Sequence, residues 1–209
     1  MAVTALEDGA TVPPGKADRR RLELAESAFK TLGEMGYARS SLREIAQNSE
    51  FSHGVVHYYF SDKTDLITFC VRHYKTACSR RYDAVVDAAT TPAELADGFL
   101  ATMGTTLVED AGLHRLWYDV RAQSVFEPAL REDVVHVDGL LEQMTWRVLS
   151  RYAELAGRAL AVDAPTAYAL VDGLFEQAVI ASASDPTAAR ANLTARVATT
   201  LPLLLTPGR

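Results

Sequence analysis

Residues 41–66 read SLREIAQNSEFSHGVVHYYFSDKTDL, and this stretch decides the fold of the N-terminal part of the chain. Ser41 lies three residues before Glu44, which is the spacing of a capping box, so a short helix is predicted to begin at Leu42. Ser52 is a second capping candidate, and a second short helix is predicted to follow it. The link between the two helices is only a few residues long, which predicts a tight turn.

Two short helices joined by such a turn form the helix-turn-helix motif, whose second helix enters the major groove of DNA. Here that helix is predicted to run from His53 to Tyr59. Phe51 before the cap and Val55 or Val56 after it suit a hydrophobic staple, which would fix the angle of the second helix. Ser61 is predicted to cap a third helix.

The segments IAQ and FSHGVVHYYFSDKTDLI resemble the N-terminal domain of the tetracycline-repressor (TetR) family. The resemblance covers about residues 20–66. It implies an all-helical homodimer with one helix-turn-helix per subunit and a C-terminal body that binds a ligand. It also implies a regulator that is more often a repressor than an activator.

The resemblance assigns roles to single residues. Arg43 resembles a first-helix residue that touches a base edge, and Tyr58 and Lys63 resemble the residues that hold DNA phosphates. With the two caps and the exposed face of the second helix, the predicted DNA-binding residues are Ser41, Arg43, Ser52, His53, Gly54, Val55, His57, Tyr58 and Lys63.

Two positions depart from the family pattern. Glu50 replaces the usual turn glycine, which would strain the turn if it required a positive φ. His57 replaces a tyrosine, which alters a phosphate or base contact. Simpler interpretations remain open, because Arg43 also fits a solvated helix charge, and His53 and His57 have the i, i+4 spacing of zinc ligands without the glutamate of a zincin.

Charge is unevenly distributed along the 209 residues. The net charge is −6, but residues 1–81 hold 12 Lys and Arg against 10 Asp and Glu, while the remainder holds 9 against 17. A basic head on an acidic body is compatible with DNA contact through the head alone. The 17 Arg against 4 Lys suggest a bacterium with GC-rich DNA.

Helical spacing of apolar residues continues throughout the chain, so the predicted fold is all-α with about nine helices. The predicted domains are a disordered leader (1–17), a helix-turn-helix domain (18–66) and a ligand-binding and dimerisation domain (67–209). Further helices are expected at 18–36, 62–89, from 92, 113–126, 129–160, 163–184 and 185–205.

No signal peptide or membrane span is expected, and the chain is therefore predicted to be cytoplasmic. Cys70 and Cys78 lie eight residues apart on one predicted helix, about 12 Å, which is beyond disulfide reach.

The last two helices are predicted to form a dimer interface, since their apolar stripes include small residues that permit close approach. Two-fold operators also require two-fold proteins. The alternative is that the stripes pack only inside their own subunit. The predicted interface residues are Leu170, Leu174, Ala178, Ala181, Leu193, Val197, Leu201 and Leu204.

A ligand pocket is predicted around the helix HRLWYDVR at 114–121, because two aromatics, a histidine and an arginine exceed what simple packing requires. Arg121 would favour an anionic group if it faced inward without an acidic partner; an ion pair with Asp119 or Glu127 is the alternative. Trp117 also fits plain core. A mostly apolar, drug-sized or lipid-like molecule is expected. The predicted lining is Tyr82, Phe99, Met103, His114, Trp117, Tyr118, Arg121, Met144 and Phe175.

No catalytic, cofactor-binding or metal-binding motif occurs, so an enzyme is not expected. The predicted function is a ligand-responsive transcription regulator that binds a palindromic double-stranded DNA operator as a homodimer and is released by a small inducer. The alternative is a dimeric helical module that binds small molecules or proteins and has lost specific DNA binding.

Overall fold

The computed structural model describes residues 16–208, and helices dominate this part of the chain, as predicted. The first fifteen residues of the predicted leader lie outside the described residues. The helices are α1 (Lys16–Arg39), α2 (Leu42–Gln47), α3 (His53–Tyr59), α4 (Lys63–Cys78), α5 (Asp83–Ala88), α6 (Pro92–Glu109), α7 (Ala111–Gln123), α8 (Arg131–Leu155), α9 (Ala164–Ser182) and α10 (Pro186–Leu203), with a 3₁₀ helix at Pro128–Leu130 before α8.

The single helix predicted over 62–89 is wrong, because the structure divides it into α4 and α5. Neither glycine nor proline interrupts this stretch, so tertiary contacts break it. The Arg81 guanidinium donates a 2.7 Å hydrogen bond to the Asp110 carboxylate, and the Tyr82 side chain is buried in the core. Both contacts require the chain to leave the helical path after Cys78.

Three predicted helix boundaries were also inaccurate. α8 ends at Leu155 rather than near residue 160, because Gly157 follows with a φ of 61°, a left-handed conformation that terminates helices. α7 ends at Gln123 rather than Phe126. The cap of α4 is Asp62, whose carboxylate accepts the Asp65 N–H, and not Ser61.

The buried residues form two hydrophobic clusters. The first joins α1 to α4 with α7 and the N-terminal half of α8, and the second joins α6, the C-terminal half of α8, α9 and α10. Trp117 on α7 lies in the first cluster and is fully buried. The predicted DNA-binding segment therefore shares its core with α7.

α1 and α7 approach closely at two glycines. A Cβ atom added to Gly33 would lie 3.1 Å from the backbone of Gly112. Such a separation is tighter than ordinary packing, so these glycines allow the two helix backbones to come together. This crossing fixes α7 against the N-terminal helices.

None of the helices among residues 16–208 combines the length and apolar character needed to cross a bilayer. Cys70 and Cys78 are buried free thiols.

Candidate DNA interface and ligand cavity

The start of α2 is held by Ser41. Its hydroxyl oxygen accepts the Glu44 N–H at 3.2 Å, as expected of a helix cap. The Glu44 carboxylate accepts the Ser41 hydroxyl at 2.7 Å, whereas the capping box was expected to use the Ser41 backbone N–H. The cap is therefore present, but the predicted capping box is only partly formed.

α3 spans His53–Tyr59, the range predicted for the recognition helix. The Ser52 hydroxyl oxygen accepts the Val55 N–H at 3.4 Å. Phe51 and Val56 are buried on the inner side and hold the helix against the rest of the head.

The outer face of α3 is exposed. His53, Gly54, His57 and Tyr58 lie on it, and Tyr58 is 81% exposed. A Cβ atom added to Gly54 would meet no atom within 4 Å, so the protein itself does not require a glycine there. A molecule that approaches this face closely would require a glycine at this position, because a glycine has no side chain to obstruct it.

A groove lies between α2 and α3, next to this face. It includes two predicted DNA-binding side chains, Arg43 and His53, together with the cap residue Ser52. Glu50 lies exposed in the turn, where the Phe51 N–H donates to the Ser49 hydroxyl at 3.2 Å. Residues predicted to read bases and to cap the helix thus lie together on one side of the head.

Lys63 has a partner that the sequence did not reveal. Its Nζ donates a 3.0 Å hydrogen bond to the Tyr37 carbonyl and lies 4.1 Å from the centroid of that ring. The ammonium is only half-buried and carries three N–H groups, so this contact leaves donors for a phosphate. Lys63 thereby connects the start of α4 to the end of α1.

The arginines at the start of α1 pack mainly against the head. Arg20 pairs with Glu23 and its guanidinium lies 4.5 Å from the Phe51 ring centroid. Arg21 pairs with Asp65 at 2.9 Å. Both side chains therefore help to hold α1 in place.

A cavity of about 70 Å³ lies in the C-terminal body, which is room for about five water molecules. Seven of the nine predicted pocket residues line it: Tyr82, Met103, His114, Trp117, Tyr118, Met144 and Phe175.

The two remaining predicted pocket residues do not line the cavity. Phe99 lies behind it and packs against Tyr82, with ring centroids 4.9 Å apart. Arg121 forms an ion pair, but with Asp172 at 2.5 Å and Asp138 at 3.4 Å rather than with Asp119 or Glu127. The ion-pair alternative therefore applies to Arg121, with other partners than the two named from the sequence.

Several lining residues were not predicted, because they come from helices that are distant from α7 in the sequence. They are Lys75, Cys78, Arg81, Thr106, Leu141, Thr145, Tyr168, Val171 and Asp172. Lys75 is the most informative, since its side chain points from the inner face of α4 and is buried.

Polar groups are concentrated at one end of the cavity. His114 Nε2 lies 3.1 Å from the Thr106 hydroxyl, and His114 Nδ1 lies 3.4 Å from Lys75 Nζ. Burial, followed by the charges of Lys75 and Arg81, holds the pKa of His114 well below its ordinary value. His114 is therefore neutral at pH 7 and adds no charge to the cavity.

α7 connects the cavity to the DNA-binding head. Its residues His114, Trp117 and Tyr118 line the cavity. On the same helix, the Asp119 carboxylate accepts the Tyr37 backbone N–H at 2.6 Å. A movement of α7 caused by a ligand would therefore act on the end of α1.

The predicted dimer stripes divide into two sets. Val197, Leu201 and Leu204 are buried within the chain itself, so their assignment to a dimer interface is wrong, and the alternative of packing inside the subunit applies to these three. Ala178 and Leu193 are also buried, but they line the groove between α9 and α10. Leu170 and Ala181 are exposed and Leu174 is half-buried, and Ile180 on the same helix is 70% exposed.

Among the described residues, no group of three or more His, Cys, Asp or Glu side chains is arranged to hold a metal ion. His53 and His57 instead stack edge to face, with ring centroids 4.3 Å apart.

Comparison with known proteins agrees with this geometry. Residues 24–68 match the sequence profile described as "Bacterial regulatory proteins, tetR family". The HTH-type transcriptional regulator BetI of Burkholderia mallei (strain NCTC 10229) is 29% identical over 177 residues, which cover 80% of this chain and 85% of the relative.

Two solved structures show the same fold. A TetR transcription regulator from Haloarcula marismortui ATCC 43049 aligns with a TM-score of 0.70 and 21% identity over 90% of this chain and 99% of that one. The regulator FadR from Bacillus subtilis, in complex with stearoyl-CoA, aligns with a TM-score of 0.68 and 18% identity over 90% and 99%.

An exposed recognition helix with a groove beside it, carried on a helical body, defines a helix-turn-helix transcription regulator. The matches extend through the head and most of the body. The chain is similar to the TetR family of bacterial regulatory proteins, whose profile matches residues 24–68, and to the regulator BetI over 80% of its length. It is a DNA-binding regulator and not an enzyme, as the sequence predicted.

Proposed function

We propose that this protein is a repressor that binds a palindromic operator as a two-fold dimer and releases it when a small, mostly apolar molecule occupies the cavity of the body. The head (18–66) would read DNA, and the body (67–209) would bind the ligand and dimerise. Its place of action would be the bacterial cytoplasm, where the DNA is.

One observation carries the proposal: α7 lines the cavity and also binds the end of α1. Trp117 and Tyr118 lie on the cavity wall, and the carboxylate of the next residue on the helix, Asp119, accepts the Tyr37 N–H. A ligand that favours one position of α7 would shift α1, and with it α3, because the head and α7 share one core. The two recognition helices of a dimer would then no longer match successive major grooves.

DNA affinity in this proposal comes mainly from phosphate contacts, and sequence choice comes from a few side chains in the groove. Tyr58 and Lys63 would hold phosphates. Arg43, Val55 and His57 would face base edges, with Gly54 allowing the helix to approach closely. The exposure of Arg43, Tyr58 and His57 supports these roles.

The dimer would form through the outward faces of α9 and α10. A shallow groove between these helices includes Leu174, Gln177, Ala181 and Ala188. Leu170 and Ile180 extend the apolar surface on α9. Apolar side chains exposed next to small ones suit close contact with the same face of a second copy.

A structurally similar regulator, FadR, is seen in complex with stearoyl-CoA, which supports a ligand-binding role for this fold. The cavity here is smaller than a drug-sized site, so a larger ligand would require side chains to move. Met103 and Met144 on its wall are flexible side chains that adapt readily.

Selection of bound duplexes from a random DNA library tests the proposal. We expect enrichment of one inverted repeat, bound by a dimer. A library that shows no enriched sequence after repeated rounds, with folded protein, would contradict a specific DNA-binding function and favour the alternative of a helical module without it.

A further inference from the structure

Lys75 is a buried cation without a buried anion. Its residue is only 4% exposed, and it lines the cavity. The nearest polar contact of its Nζ is His114 Nδ1 at 3.4 Å. Within residues 16–208, no carboxylate lies within 4 Å of this ammonium.

The other charged groups of the cavity already have partners. Arg81 pairs with Asp110 at 2.7 Å. Asp172 accepts from Arg121 and, at 2.9 Å, from the Tyr118 hydroxyl. One positive charge therefore remains in the cavity without a paired negative charge.

A donor beside Lys75 lacks a partner. The indole N–H of Trp117 is buried, and no acceptor among the described residues lies within hydrogen-bond distance of it. Lys75 Nζ lies 5.5 Å from the centroid of the Trp117 ring, so the two donors are neighbours. The Lys75 ammonium carries three N–H groups and has one hydrogen-bond contact, with His114. Because buried donors normally have partners, an unpaired indole N–H next to an ammonium with N–H groups to spare indicates that the missing acceptor is a ligand.

A cationic ligand is the first alternative, since aromatic side chains often surround quaternary ammonium groups. In this cavity the Trp117 ring already lies near the ammonium of Lys75. A second cation at the same place would be repelled by Lys75. Of the residues that the structure describes, Asp172 is the only one with a carboxylate on the cavity wall, and it is occupied by Arg121 and Tyr118.

Neutral and doubly charged ligands also fit less well. A neutral apolar molecule would leave the buried charge unpaired, which is unfavourable. A phosphate dianion would bring more charge than one ammonium neutralises. A single carboxylate matches both the charge and the two donors.

We propose that the cavity binds a small monocarboxylate whose carboxylate oxygens accept from Lys75 Nζ and the Trp117 indole N–H, with its apolar body against Met103, Met144 and Phe175. This inference rests on the proposed function only in taking the cavity as the regulatory site. It assigns the chemical class of the ligand, an organic acid with a short aliphatic or aromatic body.

The proposal also accounts for the energetics of Lys75. Burial lowers the pKa of this ammonium to about 8, so the charged form is disfavoured in the empty cavity. A bound carboxylate would offset that penalty and raise the pKa again. Because Lys75 is on α4 and Trp117 on α7, the carboxylate would also link two helices that pack in the same core as the DNA-binding head.

Matched probes test the charge preference by titration calorimetry at pH 7. The aliphatic set is hexanoate, hexan-1-ol and hexyltrimethylammonium; the aromatic pair is 3-phenylpropionate and 3-phenylpropan-1-ol. We expect at least one acid to bind about tenfold or more tightly than its alcohol, and the ammonium to bind weakest. Equal affinities within both sets, tightest binding of the ammonium, or no binding by any probe would overturn the proposal.

The variant Lys75→Met tests whether the preference for acids over alcohols depends on the charge of Lys75. Methionine keeps the length and apolar bulk of the lysine stem and removes the charge, so this variant should fold. We expect it to bind the alcohols as the wild type does and to lose the preference for acids. A preference for acids that persists in Lys75→Met would overturn the role of Lys75. A lower melting temperature for ligand-free Lys75→Met would also contradict it, since it would show that Lys75 is satisfied within the protein.

Failure of this inference is distinguishable from failure of the proposed function. The calorimetry contains no DNA, and the DNA selection contains no ligand. An enriched operator together with equal binding of acids and alcohols would contradict only the proposal of a monocarboxylate ligand. Preferential binding of an acid by a protein that selects no DNA sequence would contradict only the proposed function as a repressor.

Discussion

The backbone N–H of Tyr37 donates a 2.6 Å hydrogen bond to the carboxylate of Asp119, which joins the end of α1 to the middle of α7. Gly36, with a φ of 74°, precedes Tyr37, and a Cβ atom on Gly36 would lie 2.8 Å from Asp119 Oδ2. Glycine thus provides both the left-handed turn and the space that the carboxylate needs. The Tyr37 hydroxyl additionally donates to Glu127, so one tyrosine binds two acidic side chains of the body.

Replacing Asp119 should destabilise the protein. We expect Asp119→Ala to lower the free energy of unfolding by about 1–3 kcal/mol, because it leaves the Tyr37 N–H without its acceptor. Asp119→Asn keeps an acceptor oxygen at that position and should lose less. Urea unfolding measures both. An Asp119→Ala protein as stable as the wild type would show that this hydrogen bond does not hold α7 against α1.

Gly54→Ala should separate stability from DNA binding. The added methyl group meets no protein atom within 4 Å, so the variant should gain about 0.5–1 kcal/mol in free energy of unfolding from its higher helix propensity. On DNA the same methyl group should collide with the groove and weaken binding. Gly139→Ala on α8 is the matched control, since its Cβ is equally unobstructed and lies outside the head. Unchanged operator affinity in Gly54→Ala would show that α3 does not enter the major groove of DNA.

Ile180→Asp should convert the dimer to a folded monomer, as light scattering would show. Ile180 is 70% exposed in the subunit, and a charge buried unpaired in an interface costs several kcal/mol. Val135, which is also 70% exposed, is the control on another helix, and Val135→Asp should remain dimeric. Val197→Asp should instead fail to fold, because Val197 is fully buried in its own subunit. A folded Ile180→Asp dimer would place the interface elsewhere.

Stability should rise with pH where Lys75 titrates. The pKa of Lys75 is lowered from 10.5 to about 8 by burial. Between those values the unfolded chain binds more protons than the native protein, so the free energy of unfolding increases as pH rises. Over that window this one group contributes about 3 kcal/mol, with 1.36 kcal/mol for each pKa unit. The titratable groups whose charges act on Lys75 are Cys78, Arg81, Asp110 and Asp172, and His114 faces it as a neutral imidazole.

The difference between wild type and Lys75→Met isolates this contribution from the other titrations. Without ligand, Lys75→Met should be the more stable protein near pH 7, and its advantage should shrink from pH 8 to pH 10.5. A constant difference across this range, measured by chemical unfolding, would show that Lys75 has an ordinary pKa.

The head was predictable from sequence because its signals are local. The caps Ser41 and Ser52 and the range of α3 follow from spacings of three or four residues, and the structure places them as expected. The break between α4 and α5 was not predictable in this way, because Arg81 leaves the helix to reach Asp110, which is 29 residues further along the chain.

The cavity was partly predictable. Aromatic residues and histidine on one short helix marked α7 as unusual, and most of the predicted lining is present. The partner of Arg121 was not predictable, because the sequence does not show that Arg121 meets Asp172, 51 residues away. Lys75 was missed because a lysine in a helix is usually interpreted as a surface residue, and the sequence does not show that this one points inward.

The dimer stripes show a different limit. Helical periodicity identifies an apolar face but not what covers it. Leu193 and Val197 are covered by the chain's own helices, whereas Leu170 and Ile180 on α9 are left exposed. Leu193 and Val197 lie on α10, which packs against both α6 and α9.

Contact of α2 and α3 with DNA is tested by the affinity of the wild type, Lys63→Ala and Arg43→Ala for a selected operator and a scrambled duplex, measured over a range of salt concentrations. We expect Lys63→Ala to weaken binding to both duplexes and to make the salt dependence shallower by about 0.9 for each phosphate that the variant no longer binds. Arg43→Ala should lose about 1–3 kcal/mol on the operator only. If both variants bind the operator as tightly as the wild type, with the same salt dependence, this surface does not contact DNA and the account is wrong.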